Sequence, residues 1–277
     1  MSDPAKVFPE IFPRQAGGAI SIRMAVLGSG SSGNCTFLAT ERVKVLIDAG
    51  LSGRDTLRRL ASIGEKPESL QAILITHEHS DHISGLARLA SHYKIPVYVS
   101  SPTQAVLPPR VKLPAVETIQ AGKQFEIGDL TIDPFTIPHD AVDPVAFRLT
   151  AGGIRVAVVT DLGYIPENVK YYLRGCHCLV LEANHDLEML RNGPYPWFVK
   201  QRVMSRDSHL SNHALSNFLS NDFDGTAQVL VLAHLSECNN HPEIARMAAT
   251  SALEAQNGRE TRLAVSSQQQ PTEMFRF

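Results

Sequence analysis

Cysteine is scarce in this sequence and badly placed for cross-linking. The four residues Cys35, Cys176, Cys178 and Cys238 are irregularly spaced along 277 positions and form no C-x-x-C pair, which excludes a disulfide framework. Reduced thiols in a cytoplasmic protein are the simplest reading. Charge of one sign is also missing: Lys+Arg 26 against Asp+Glu 28 leaves a formal net charge of −2, so any site for a polyanion has to be local. Long apolar runs do not occur. Residues 1–23, interrupted by Pro4, Pro9 and Pro13, read as neither a secretory signal nor a membrane anchor but as a loosely ordered extension ahead of one domain over 24–277. No internal repeat and no linker near the middle divides the chain. The composition, 43% hydrophobic and 19% charged, is that of an ordinary globular protein, and one count stands out: eleven histidines.

Short aliphatic and β-branched runs predict strands at 24–28, 34–39, 43–48, 72–76, 96–100, 130–138, 154–160, 178–183, 228–234 and 261–266. Helical spacing predicts helices in RDTLRRLASIG, in SDHISGLARLASHY, from Ser211 through Leu219, and over PEIARMAATSALEAQ with Gly258 ending it. The alternation implies layered sheets and helices. Buried strands deliver functional side chains at their carboxyl ends, and here five strands are followed by His77, His139, Asp161, Glu182 and His234.

His77-Glu78-His79-Ser80-Asp81-His82 packs three imidazoles and two carboxylates into a strand-to-helix turn. Neutral imidazole and carboxylate are ligands for divalent zinc, manganese or iron, and so dense a set exceeds what one tetrahedral ion uses. Two ions are implied. Asp48, ending VKVLID, reads either as a carboxylate that orients the ligand loop or as an ordinary strand-end turn residue.

The run H-x-H-x-D-H after an apolar strand, with isolated His, Asp and His at later strand ends, resembles the metallo-β-lactamase-fold hydrolases across residues 24–277. The resemblance implies an α/β fold, the four-layer αββα sandwich. It also implies that His77, His79 and His139 hold one ion, that Asp81, His82 and His234 hold the other, and that Asp161 bridges both. A hydroxide between the ions would be the nucleophile, with Asp81 helping to aim it. True β-lactamases of this fold carry cysteine where Asp161 stands and lack the histidine after the motif's aspartate, so antibiotic hydrolysis is not expected.

His209, in Ser208-His209-Leu210-Ser211-Asn212, stands before a helix N-terminus, where phosphate is favoured. The segment resembles the histidine motif of the nucleic-acid-cleaving branch of the fold, which implies His209 as general acid and Glu182 as the carboxylate orienting it. Longer stretches, MAVLGSGSSGNCTFL, VLIDAGLSGR, ILITHEHSDHISGL, LEANHD, HLSNHALSNFL and LAHLSECNNHPEIA, are similar to the YycJ/WalJ-type 5′ to 3′ exonuclease family nearly end to end. That family implies a metal-dependent phosphodiesterase acting on DNA with two Zn²⁺ or Mn²⁺ ions, five histidines and two aspartates suiting either metal. An RNA-processing nuclease, a hydrolase of small esters, thioesters or cyclic phosphodiesters, and a silent metal-binding module are the rivals.

For the polyanion itself, the stretch from Arg191 to Arg206 gathers Lys200, Arg202, Tyr195, Trp197 and Phe198 ahead of His209. It reads as a path that neutralises phosphates and stacks an end base, or as a solvated helix with a buried tryptophan. His185 is a contact to substrate phosphate or to the second ion, or a hydrogen-bonded structural residue, and Ser211 and Asn212 are further candidate substrate contacts. Gly28 to Asn34 lacks the ending of a P-loop and reads as a turn near the site rather than a phosphate cradle. His241 reads as a helix-start residue, and Cys176-His177-Cys178 as buried thiols rather than a metal site.

Overall fold

A computed structural model of the chain describes residues 22–255 and 260–277. The first half contains β1 (Arg23–Gly28), β2 (Cys35–Ala39), β3 (Lys44–Ile47), α1 (Gly53–Ser62), β4 (Ala72–Leu74), α2 (Ser80–Ile83), α3 (Leu86–Tyr93), β5 (Val97–Ser100), α4 (Ser101–Val106) and β6 (Val116–Ile119). Then follow β7 (Phe125–Ile127), β8 (Leu130–Thr136), β9 (Val145–Ala151), β10 (Ile154–Val159), α5 (Glu167–Leu173), β11 (Cys178–Glu182), α6 (Leu187–Asn192), α7 (Trp197–Val203), α8 (Asn212–Asn221), β12 (Val229–Ala233), α9 (Pro242–Glu254), β13 (Arg262–Val265) and β14 (Phe275–Arg276).

The strands make two mixed sheets of seven, in the orders β14-β1-β2-β3-β4-β5-β6 and β13-β12-β11-β10-β9-β8-β7. Because side chains alternate faces along a strand, each sheet has two apolar faces to cover. Val26, Leu38, Val45 and Leu74 of the first sheet meet Phe147, Val156, Val180 and Val231 of the second in a shared core. The opposite face of the first sheet, Leu27, Phe37, Leu46 and Ile73, packs on Leu60 of α1 and on Leu86 and Leu89 of α3. The opposite face of the second, Ala157, Val159, Leu179 and Leu181, packs on Leu215 and Leu219 of α8 and Ala249 of α9. The result is the expected αββα layering. At about 1.5–3 kcal/mol for each large aliphatic side chain taken from water, these three apolar layers are what hold the sheets and helices in register.

Within each sheet one run is parallel, β3 to β6 and β10 to β13, so the carboxyl ends of those strands line up along one edge. The chain closes at β14, which pairs with β1 through Arg23↔Arg276 and Met24↔Phe275. Ile22 is fully buried and its N–H donates to the Phe277 carbonyl, so the described fold begins one residue ahead of β1; residues 1–21 and Gly258 lie outside the described residues.

Two features depart from the sequence reading. Four strands, β6, β7, β9 and β14, carry no expectation, and the single helix expected over 80–93 is two. The break falls at Gly85, whose N–H donates to the Ala49 carbonyl at 2.8 Å, and where a Cβ would lie 2.2 Å from the Leu51 carbonyl oxygen. Only glycine lets the loop after β3 come that close. Among the described residues no helix is long and apolar enough to cross a membrane.

Candidate metal centre

The strand-end residues converge. Asp48, Asp161 and His234, each just past a strand, hold left-handed φ values of 60°, 61° and 55°, a region that L residues visit rarely and at a cost of order 1–3 kcal/mol. Asp48 follows β3 of the first sheet, and Asp161 and His234 follow β10 and β12 of the second; the sharp turns bring Asp161 and His234 within 3.3 Å of each other and Asp48 within 2.7 Å of His82.

Two clusters result. His77, His79 and His139 form the first, and Asp81, His82, Asp161 and His234 the second. In the first, His79 Nδ1 lies 3.2 Å from His139 Nε2. In the second, Asp81 Oδ2 is 3.4 Å from both His82 Nε2 and His234 Nε2, and His82 Nε2 is 3.2 Å from Asp161 Oδ2. Ligands at about 2.0–2.1 Å from a tetrahedral ion are about 3.3 Å apart, which matches both sets. Moreover, His77 Nε2, His234 Nε2 and Asp161 Oδ2 are buried without a hydrogen-bond partner; Asp161 Oδ2 is near His82 Nε2 but not aligned with it. An unpartnered buried polar atom costs about 1–3 kcal/mol, and metal held by the clusters to which these atoms belong would explain them. The clusters fit a divalent metal site.

The ring nitrogens facing away from the clusters are fixed by the fold. His82 Nδ1 meets Asp48 Oδ2 at 2.7 Å, and Asp48 is itself held by the Thr76 N–H and hydroxyl at 2.9 Å. Of the two readings of Asp48, this geometry fits the carboxylate that orients the ligand loop. His139 Nδ1 faces the Ser208 carbonyl at 3.1 Å. Glu182 serves two histidines: its Oε1 accepts from His209 Nδ1 and His234 Nδ1, each at 2.8 Å, while its Oε2 accepts from the Leu162 and Leu210 N–H groups. The Glu182–His209 pairing is as expected, whereas the hold on His234 was not foreseen. With both rings donating from Nδ1, the grouping of Asp161, Glu182, His209 and His234 is a hydrogen-bonded support rather than a third ion site. His209 is 23% exposed on its side chain, and its ring centroid lies 5.6 Å from that of His139 and 5.1 Å from that of His234.

Charge follows from this packing. Burial, with help from His82, holds His77 well below the usual imidazole range, the neutral form that ligates. For Asp161, burial pushes the carboxyl up, but His234 and His82 outweigh it and hold it well below the carboxylate range. Burial also opposes charge on His234 and His209. Asp161 nevertheless raises His234 to about 10, and Glu182 raises His209. Glu182 is lowered to about 2, where His209 and His234 prevail over burial.

The glycine-rich loop is engaged within the protein. The Gly30 N–H donates to Asn34 Oδ1, the Ser32 N–H to Gln268 and the Gly33 N–H to Gly30, so few amides remain for a phosphate. Its contribution is structural: Asn34 Nδ2 reaches Asp81 Oδ2 at 3.2 Å and lies 3.1 Å from His82 Nε2, and Ser29 Oγ accepts the His234 N–H at 2.9 Å. Neither residue carried an expectation, nor did Asn184, whose amide donates to the His234 carbonyl.

The expected substrate contacts divide. Ser211 caps α8 by accepting the Ala214 N–H. Asn212 is locked in a reciprocal amide pair with Asn240. Lys200 is buried, its ammonium donating to the Arg191 carbonyl at 2.7 Å. Arg202 is exposed but bridges to Asp140 beside His139. His185 is buried against Asn184, and burial lowers its ring to about 4. Trp197 and Phe198, by contrast, are 62% and 72% exposed, so the buried-tryptophan reading of this helix does not hold. Cys176 and Cys178 are buried, as expected, and His241 caps α9.

Fold and site together define the class, a metal-dependent hydrolase built on two facing sheets. A family model described as "Beta-lactamase superfamily domain" matches residues 43–235, which include every residue of both clusters, and the chain belongs to that superfamily. Exodeoxyribonuclease WalJ of Streptococcus pneumoniae is 38% identical over 239 residues, covering 84% of this chain and 89% of the relative. Exodeoxyribonuclease YycJ of Bacillus anthracis is 35% identical over 238 residues, covering 85% and 90%. Within the superfamily the chain is a member of the WalJ/YycJ family. The metallo-beta-lactamase fold protein YhfI from Bacillus subtilis superposes with a TM-score of 0.70 at 16% identity over 93% of this chain and all of that one, a likeness of fold alone.

Proposed function

We propose that the protein is a metal-dependent nuclease, and specifically a 5′ to 3′ DNA exonuclease acting with two divalent ions, Zn²⁺ or Mn²⁺. The observation that carries the reading is His209, a partly exposed imidazole fixed by a buried carboxylate between two metal-fitting clusters. The names of the two curated relatives supply the substrate and the exonucleolytic mode, and the 5′ to 3′ polarity rests on the family resemblance. His77, His79 and His139 would hold one ion and Asp81, His82 and His234 the other, with Asp161 between them. Such ions supply Lewis acidity, activating water near neutral pH and offsetting charge on the phosphoryl oxygens.

The remaining chemistry belongs to the chain. Glu182 raises the affinity of His209 for a proton and fixes Nδ1–H toward itself, so Nε2 faces outward as a general acid for the departing sugar oxygen. Asp48 and Asn34 keep Asp81 and His82 aimed. Trp197 and Phe198 offer exposed faces on which the bases of a frayed end stack, with Arg202 alongside. Three buried cysteine thiols suit a reducing cytoplasm.

A comparison of turnover on duplex DNA and on a small model phosphodiester tests the reading. A nuclease prefers DNA by orders of magnitude, and Trp197→Ala weakens DNA binding by about 1–3 kcal/mol while leaving the model substrate untouched. Equal turnover on both, indifferent to Trp197, would favour the hydrolase of small phosphodiesters.

A further inference from the structure

The polar segment near the carboxyl terminus, Ser266 to Gln270, does not trail away from the fold. Arg59 of α1 is buried, 6% exposed, and forms no ion pair among the described residues. Its two terminal nitrogens donate to the Leu27 carbonyl and to the Gln268 carbonyl, each at 2.8 Å. Pinned there, Gln268 uses both ends of its side-chain amide on the glycine-rich loop: Oε1 accepts the Ser32 N–H at 3.1 Å, and Nε2 donates to the Gly33 carbonyl at 3.0 Å. The Ser29 N–H adds a bond to the Ser267 carbonyl at 3.2 Å. A Cβ at Gly30 would meet Gln268 Oε1 at 2.6 Å, so the loop and the glutamine are fitted closely.

What this loop touches is selective. Asn34 reaches Asp81 and His82, and Ser29 holds the backbone of His234. These three belong to the second cluster, and neither Asn34 nor Ser29 hydrogen-bonds to His77, His79 or His139. We infer that Gln268, seated on Arg59, is a positioning residue for the second metal site alone, acting through the Gly28–Asn34 loop and not on substrate. The inference rests on the two-ion reading and is independent of what the enzyme cleaves.

The test is chelator-competition titration of the metal-stripped full-length chain with Zn²⁺, resolving both dissociation constants, for the parent, Gln268→Ala and Gln268→Met. The methionine fills similar space without either hydrogen bond and serves if the alanine variant does not fold. Partners that hold metal ligands are commonly worth 10–100-fold in affinity. The expected result is a loss of that size in one of the two constants with the other unchanged, little further loss when Gln268→Met is added to Asn34→Ala, and no change in Gln270→Ala. Two parental constants in folded Gln268→Met, or equal loss in both, would overturn the inference. A parent chain that binds only one ion would instead refute the two-ion reading beneath it.

Discussion

His209 is the residue whose removal separates chemistry from folding. Its side chain is 23% exposed and fixed by Glu182, so His209→Ala should leave the core intact and cost the proposed general-acid contribution, about 10²- to 10⁴-fold in single-turnover cleavage; an undiminished rate would remove it from the mechanism. A second consequence concerns pH in the metal-free protein. Burial disfavours charge on His234, but Asp161 and its other acidic neighbours raise it from 6.5 to about 10. The stability this imidazolium contributes is therefore fully present below about pH 6.5 and lost as pH rises through about 10. Thermal midpoints of the stripped protein should fall between pH 7 and pH 10, and His234→Gln should flatten that part of the slope; parallel profiles would contradict the account. The residues of both clusters and the His209–Glu182 pair were legible in the sequence because imidazole and carboxylate at strand ends are chemically conspicuous. Asn34, Ser29 and Gln268 were not. Their amides and hydroxyls act across 47, 205 and 236 positions, and no local spacing records such a contact.

Burial made most elements legible, β9 being the exception, missed although it is buried at five of its seven positions. β11 and β12, buried along their whole length, and β10, buried over its last four residues, read as apolar runs. β6 and β7 are short and largely uncovered, leaving no apolar run to detect. β9 includes Arg148, which pairs across the strand boundary with Asp133 of β8, and β14 is two residues long. The helix at 212–221 was visible by its apolar spacing and its preceding serine. Ser211 accepts the Ala214 N–H there, so Ser211→Ala should lower the unfolding free energy by about 0.5–2 kcal/mol in denaturant titration. An unchanged midpoint would show that the cap contributes nothing to holding α8 beneath the second sheet.

At the scale of the molecule, a net charge of −2 gives no general attraction for a polyanion, and the stretch 191–206 supplies less free positive charge than its composition suggests. Lys200 is buried with its ammonium on the Arg191 carbonyl of the same stretch, and Arg202 is bridged to Asp140, 62 positions away, so folding takes up charge that composition counts as free. What the whole fold does supply is a parallel strand run in each sheet, strained turns that set Asp161 and His234 in the second cluster and Asp48 behind His82, and an imidazole, His209, beside both clusters. The activity proposed for this site is metal-dependent cleavage of DNA from its 5′ end. Metal-stripped protein, reloaded separately with Zn²⁺ and Mn²⁺, should be given end-labelled duplex bearing a 5′-phosphate, with Asp161→Ala alongside. Stepwise release from the 5′ end with at least one ion, absent in the variant, is the predicted result; no release with either ion, although two are bound per chain, would contradict it.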